Sequence, residues 1–92
     1  MNNFIKIMEP NQLKFNKDAF LYYFVDGLLS IKNKGVYNED VILGFAASYC
    51  KQASKLNNAP DYTELIILAQ TTIENFEICH QLNVIYKPAV LQ

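Results

Sequence analysis

The chain has 92 residues, of which 51% are hydrophobic and 13% aromatic, and its formal net charge is −1. This hydrophobic content excludes intrinsic disorder, and the length suits one small domain with a modest core. All its basic side chains apart from one histidine are lysines. Because arginine is the usual residue for phosphate and base-edge contacts, and the net charge is slightly negative, nucleic acid and anionic membranes are not expected as partners.

The N-terminal residues are predicted to form an extended arm. Residues Met1–Pro10 alternate apolar and charged side chains and lack the apolar region of a secretion signal, so a soluble cytoplasmic protein is expected. Pro10 suits the first position of a short helical turn through Leu13 and Phe15. The longest apolar run, Phe20–Ile31, is too short to span a bilayer.

Two stretches of helical periodicity follow the arm, Lys17–Lys32 and Glu39–Asn57. Asn16 and Asn38 precede them and are predicted N-caps, while Gly35 suits the positive φ that often ends a helix. The predicted inward positions are Phe20, Phe24, Leu28 and Ile31 on the first helix and Ile42, Phe45, Tyr49, Ala53 and Leu56 on the second.

A third helix is predicted over Asp61–Leu82. Asp61, followed by Glu64 three residues later, resembles a capping box with aspartate as the cap. Its predicted inward stripe consists of Tyr62, Leu65, Ile66, Ala69, Ile73 and Phe76. Beyond it, Val84–Pro88 is predicted to be an extended tail that pairs with Phe4–Ile7 as a minor strand.

These elements predict an all-α fold, a small antiparallel bundle of three main helices with room for a short fourth helix near the N-terminus. The chain is interpreted as one domain with an N-terminal arm (1–16), a helical core (17–82) and a C-terminal tail (83–92). Gly27 and Gly44 lie inside predicted helices, where glycine is unfavourable, so we expect both at close helix–helix contacts.

Few residues are candidates for chemistry. Cys50 and Cys79 fit neither a redox pair nor a zinc-ligand spacing, and both are expected to be buried. The Glu-x-x-His spacing of di-iron bundles occurs only once, at Glu77 and His80, and the helical wheel predicts Glu77 off the line of Ile66 and Ile73. We therefore expect no catalytic residue, metal or cofactor. An enzyme or ligand-binding bundle around Tyr49, Cys50 and His80 stays open as an alternative.

The most suggestive feature is a second apolar stripe on the third helix. Ile67, Ile78 and Leu82 lie opposite its inward stripe, and a three-helix bundle needs only one such stripe per helix. Either the terminal arms cover this stripe or a partner does. The predicted docking residues are Glu64, Ile67, Thr71, Glu74 and Ile78, together with Tyr22 and Tyr23 on the first helix.

Charge is distributed unevenly along the chain. Through Lys34 the net charge is +2, and from Gly35 onward it is −3, which favours a basic protein partner. The leading hypothesis is a small non-enzymatic binding module that occludes or bridges another protein, in the style of immunity proteins, antitoxins and phage inhibitors of host defence. That comparison concerns size and composition only. A helical homodimer that serves as an assembly subunit is the second hypothesis.

Overall fold

The computed structural model describes residues 13–87, and these contain three α-helices: α1 (Lys17–Asn33), α2 (Glu39–Ala53) and α3 (Tyr62–Cys79). The ring of Phe20 near the start of α1 lies 5.1 Å from that of Tyr49 near the end of α2, so these helices are antiparallel. Tyr37, just before α2, contacts the end of α3, which therefore runs parallel to α1. The predicted three-helix bundle is confirmed.

All three helices begin at the predicted cap. The side-chain oxygens of Asn16, Asn38 and Asp61 each accept a hydrogen bond from the backbone N–H three residues later, at 2.8, 3.0 and 2.9 Å. These bonds satisfy amides that have no partner inside the helix, and the acidic residues in each first turn are favoured by the helix dipole.

Two of the helices end in the same backbone motif. After α1, Gly35 has φ 77° and the Val36 N–H bonds back to the Ile31 carbonyl. After α3, Gln81 takes φ 58° in the equivalent position, and the Leu82 N–H donates to the Glu77 carbonyl at 2.8 Å. The predicted end of α3 at Leu82 is therefore wrong by three residues. Leu82 instead turns back and packs against the core.

The end of α2 is set by a contact distant in sequence. Asn57, predicted to be helical, forms a parallel β-bridge with Lys14. Its N–H donates to the Leu13 carbonyl and its carbonyl accepts from the Phe15 N–H, both at 2.8 Å. The helix therefore stops at Ala53, and the predicted helical turn through Leu13 and Phe15 is not found. Pro10 and the proposed strand over Phe4–Ile7 lie outside the described residues.

Among residues 13–87, the core contains ten buried apolar side chains shared among the three helices. They are Phe20, Phe24 and Leu28 of α1, Ile42, Ala46 and Cys50 of α2, and Leu65, Ala69, Ile73 and Phe76 of α3. The inward stripe of α2 is thus rotated from the predicted one, since small residues face the centre while Phe45 and Tyr49 pack partly exposed against α1. None of the described helices combines the length and apolarity needed to cross a membrane.

The two helical glycines differ in their surroundings. A Cβ added at Gly27 of α1 would lie 3.0 Å from Phe45 Cε2 and 3.1 Å from Cε1, with Cζ closer still. The predicted close helix contact is therefore present at Gly27. At Gly44 of α2, no described atom lies within 4 Å of an added Cβ, so the same expectation is wrong there.

Candidate protein-interaction surface

The outward face of α3 carries all five of the docking residues predicted on this helix. Ile67 is 58% exposed and Ile78 is 52% exposed, although the helix buries Ile73 completely on its other side. Glu64, Thr71 and Glu74 are also exposed. We call these five residues, Glu64, Ile67, Thr71, Glu74 and Ile78, the α3 outer face. It spans 15 residues, and its first and last Cα atoms lie about 21 Å apart along the helix axis.

Thr71 contributes to the apolar part of the α3 outer face. Its hydroxyl donates to the Ile67 carbonyl at 3.2 Å, one turn earlier in the helix. The hydroxyl is therefore satisfied within the helix, and the methyl group is left for apolar contact with a neighbouring molecule. Between Ile67 and Ile78, the α3 outer face presents the methyl group of Thr71 and the carboxylate of Glu74.

The two tyrosines predicted as docking residues on α1 contact each other. Tyr22 and Tyr23 are 66% and 60% exposed, and their rings meet edge to face with centroids 5.0 Å apart. Tyr23 lines the groove between α1 and α2 together with Phe20 and Tyr49. Tyr22 is absent from that groove and belongs to the solvent-facing side of α1.

The groove between α1 and α3 lies beside the α3 outer face. Its volume is about 390 Å³, and Leu21, Val25, Thr72, Asn75, Phe76, Cys79 and His80 line it. Cys79 is exposed there, so the expectation that both cysteines are buried is wrong for Cys79. The His80 ring lies 4.2 Å from that of Phe76, centroid to centroid.

Glu77 is the group that sequence reasoning missed. It is 0% exposed and is the only buried charged residue among residues 13–87. One carboxylate oxygen accepts the N–H groups of Val84, Ile85 and Tyr86 at 2.8–3.0 Å. The other accepts the Tyr37 hydroxyl at 2.7 Å and a second bond from Ile85 at 3.1 Å.

This arrangement explains how a carboxylate can be buried there without a cation from residues 13–87. A buried charge is very costly unless hydrogen bonds replace its lost hydration, and three successive backbone N–H groups form a concavity suited to an anion. The expected wheel position of Glu77 is wrong, because Glu77 comes four residues after buried Ile73 and directly follows buried Phe76. A separation of four residues is close to one helical turn, so the sequence already indicated that Glu77 lies on the buried side with Ile73.

Glu77 also determines where the start of the C-terminal tail lies. Its hydrogen bonds hold residues 84–86, and Ile85 packs against the core. This described part of the tail leaves Ile67 and Ile78 exposed. The other predicted covers, residues 1–12 of the N-terminal arm and residues 88–92 of the tail, lie outside the described residues.

The alternative site of Tyr49, Cys50 and His80 is not assembled in the described residues. Cys50 is completely buried, and this burial raises the pKa of its thiol to about 11. Such a thiol is protonated at neutral pH, whereas a nucleophilic cysteine needs the thiolate. Tyr49 donates its hydroxyl to the Phe20 carbonyl at 2.7 Å and lines the α1–α2 groove, whereas His80 lines the α1–α3 groove.

Two partly buried tyrosines and one buried cysteine make the fold sensitive to alkali. Burial raises the pKa of Tyr37 above its usual 10.0, with further contributions from the hydrogen bond to Glu77 and its charge. Burial is also the main cause that raises the pKa of Tyr49. It raises the pKa of the Cys50 thiol to about 11. The folded protein favours the neutral forms of these three groups. Their contribution to the free energy of unfolding is complete below the pKa values of the unfolded chain. It is lost as the pH rises through the pKa values of the folded protein.

We therefore expect the urea midpoint of unfolding to fall progressively above about pH 9, where unfolded cysteine and then unfolded tyrosine ionise. Tyr37→Phe should make this fall smaller, because phenylalanine has no proton to lose. A midpoint that stays constant up to about pH 11 would contradict the raised pKa values.

No protein-family model, curated protein or solved structure matches this chain. Among residues 13–87, no group of three or more histidine, cysteine, aspartate or glutamate side chains is arranged to hold a metal ion. Function is therefore inferred from the surface of the bundle and from the groups it buries.

Proposed function

We propose that this chain is a small non-enzymatic protein-binding module that occludes or bridges a protein partner through the α3 outer face. The observation that carries the proposal is the exposure of Ile67 and Ile78 on a helix that already buries a complete apolar stripe. The two residues lie 11 positions apart, about three turns, so they project on the same side of α3. A helix whose only role is to complete the bundle needs one buried apolar stripe and has no need of a pair of exposed isoleucines on its other side.

The proposal is also supported by the burial of two reactive side chains that an enzyme would have to expose. The Cys50 thiol is buried and the Glu77 carboxylate is fully engaged by hydrogen bonds, so neither is presented to a substrate. Inhibitors, immunity proteins and anti-defence proteins of this size act by covering a partner surface. An occluding role of that kind needs only a stable scaffold and one exposed face.

The decisive test is a double substitution, Ile67→Lys plus Ile78→Lys. Both side chains are exposed, so we expect the free energy of unfolding to change by less than about 0.5 kcal/mol per site. A partner captured from the native host and identified by mass spectrometry should then bind the variant about 100-fold or more weakly, because two buried anchors are each replaced by a charge.

The matched control places lysines on apolar residues elsewhere on the surface. Val36 and Leu43 are 46% and 43% exposed and lie outside the α3 outer face. Val36→Lys plus Leu43→Lys should leave the affinity for the same partner unchanged. If Ile67→Lys plus Ile78→Lys preserves both folding and binding, the assignment of the α3 outer face is wrong.

A homodimer is the second candidate, because the same exposed isoleucines can serve contact between two copies. Size-exclusion chromatography with light scattering separates the two proposals. A monomer at micromolar concentration removes the homodimer, and a dimer that the double lysine variant disrupts would favour it.

A further inference from the structure

The spacing along the α3 outer face is that of a coiled-coil seam. Glu64, Ile67, Thr71, Glu74 and Ile78 are separated by 3, 4, 3 and 4 residues. This alternation keeps side chains on a narrow line that follows a second helix packed alongside at a shallow angle. The face is thus a ridge suited to one helix, and two of its five positions are glutamates instead of apolar residues.

The charged side chains of the segment that carries this seam, residues 56–86, are all acidic apart from the single histidine. From residue 56 to residue 86 the chain contains no lysine, and Asp61, Glu64 and Glu74 are the exposed acids there. A helix docked on the seam therefore meets Glu64 and Glu74 without any cation supplied by α3. Those carboxylates lose hydration on docking, and a positively charged partner compensates for that loss by pairing with them.

A second copy of the chain fits this seam poorly. In a parallel arrangement, Glu64 and Glu74 each face their own counterparts. In an antiparallel arrangement centred on Thr71, each glutamate faces an isoleucine and is desolvated without a partner. Either geometry leaves the seam acids uncompensated, and polar residues at seam positions are known to select one partner over another.

We infer that the element docking on the α3 outer face is a cationic amphipathic helix of another protein, with apolar residues against Ile67 and Ile78 and lysine or arginine against Glu64 and Glu74. This inference rests on the proposed function and adds the chemistry of the partner to it. The acidic seam also disfavours an anionic lipid surface, which repels it.

The test uses two synthetic helical peptides of about 20 residues, a length at which a short helix is stable enough to bind. Both carry leucine at the positions that meet Ile67 and Ile78. One carries lysine at the positions that meet Glu64 and Glu74, and the other carries glutamate there. Binding to the full chain is measured by isothermal titration calorimetry at low and at physiological salt.

The lysine peptide is expected to bind roughly tenfold or more tightly than the glutamate peptide, with a preference that shrinks as salt rises. Glu64→Lys plus Glu74→Lys should reverse the preference. Asp18→Lys plus Asp26→Lys, which makes the same charge change on α1, should retain it and so excludes a general effect of net charge.

The remaining outcomes distinguish failure of the proposed docking face from failure of the cationic-helix inference. If both peptides bind equally and Ile67→Lys plus Ile78→Lys abolishes binding, the docking face stands and the cationic partner is wrong. If peptide binding does not depend on the two isoleucines, the proposed function fails at this surface. The cationic-helix inference is also overturned if neither peptide binds, or if the free chain dimerises through this face.

Discussion

Glu77→Ala is expected to lower the free energy of unfolding by about 3–5 kcal/mol, and Glu77→Gln by about 2–3 kcal/mol. Alanine leaves three backbone N–H groups and the Tyr37 hydroxyl without an acceptor in a site where Glu77 is 0% exposed. Glutamine keeps one acceptor oxygen but directs an N–H₂ group towards donors. Urea denaturation of the purified variants measures both effects.

The matched control is Glu74→Gln, one turn earlier on the exposed side of α3. It makes the same chemical change without removing a described hydrogen bond, so a shift below about 0.5 kcal/mol is expected. Amide hydrogen exchange adds a local readout. Protection of the Val84, Ile85 and Tyr86 amides should be lost in Glu77→Gln and kept in Glu74→Gln.

Tyr37→Phe keeps this prediction testable if the Glu77 variants do not fold. It removes one hydrogen bond to the carboxylate, at 2.7 Å, and leaves the ring stacked on Phe76. We expect a loss of about 1.5–3 kcal/mol, the usual range for a hydrogen bond to a charged group. A Glu77→Gln variant as stable as the parent chain would show that the buried carboxylate does not hold the tail.

Local signals made most of the fold predictable from sequence. Asn16, Asn38 and Asp61 cap the helices through bonds to residues only three positions away, so the sequence alone contains both partners. Gly35 likewise has the backbone freedom that the end of α1 requires. The apolar period placed Ile67 and Ile78 on the exposed side of α3 for the same reason.

The predictions failed where a distant part of the chain decides the local structure. Asn57 leaves the helical conformation because its backbone pairs with Leu13 and Phe15, more than 40 positions away. Gln81 ends α3 at a positive φ that its residue type disfavours. Glu77 is buried because Tyr37 and the tail supply its hydrogen bonds. The partners of Asn57 and Glu77 are not visible in a local pattern, although the position of Glu77 four residues after Ile73 already indicated that it is buried.

The inward face of α2 shows a different limit. The sequence pattern favoured the large residues Phe45 and Tyr49 as its centre, whereas Ala46 and Cys50 occupy it. Small side chains allow the three helices to approach closely, and the aromatic rings then fill the space along α1. Size alone does not predict which side of a mostly apolar helix faces the core.

The contact between Phe45 and α1 leads to the second large effect, a difference between two chemically identical substitutions. Gly44→Ala should stabilise the protein by about 0.5–1 kcal/mol, because alanine favours the helix and no described atom lies within 4 Å of the added methyl. Gly27→Ala gains the same helix preference but overlaps the Phe45 ring, and overpacking costs about 1–3 kcal/mol.

Phe45 cannot yield easily, because its ring is stacked on fully buried Phe24 with centroids 5.2 Å apart and lies 5.6 Å from the Tyr49 ring. Gly27→Ala should therefore be less stable than Gly44→Ala by about 1–3 kcal/mol in urea denaturation. In a Phe45→Leu background, which removes the overlapping ring atoms, Gly27→Ala should become stabilising. If both alanine variants stabilise the parent chain equally, the Phe45 ring moves aside at no cost, and close packing is not the reason for glycine at position 27.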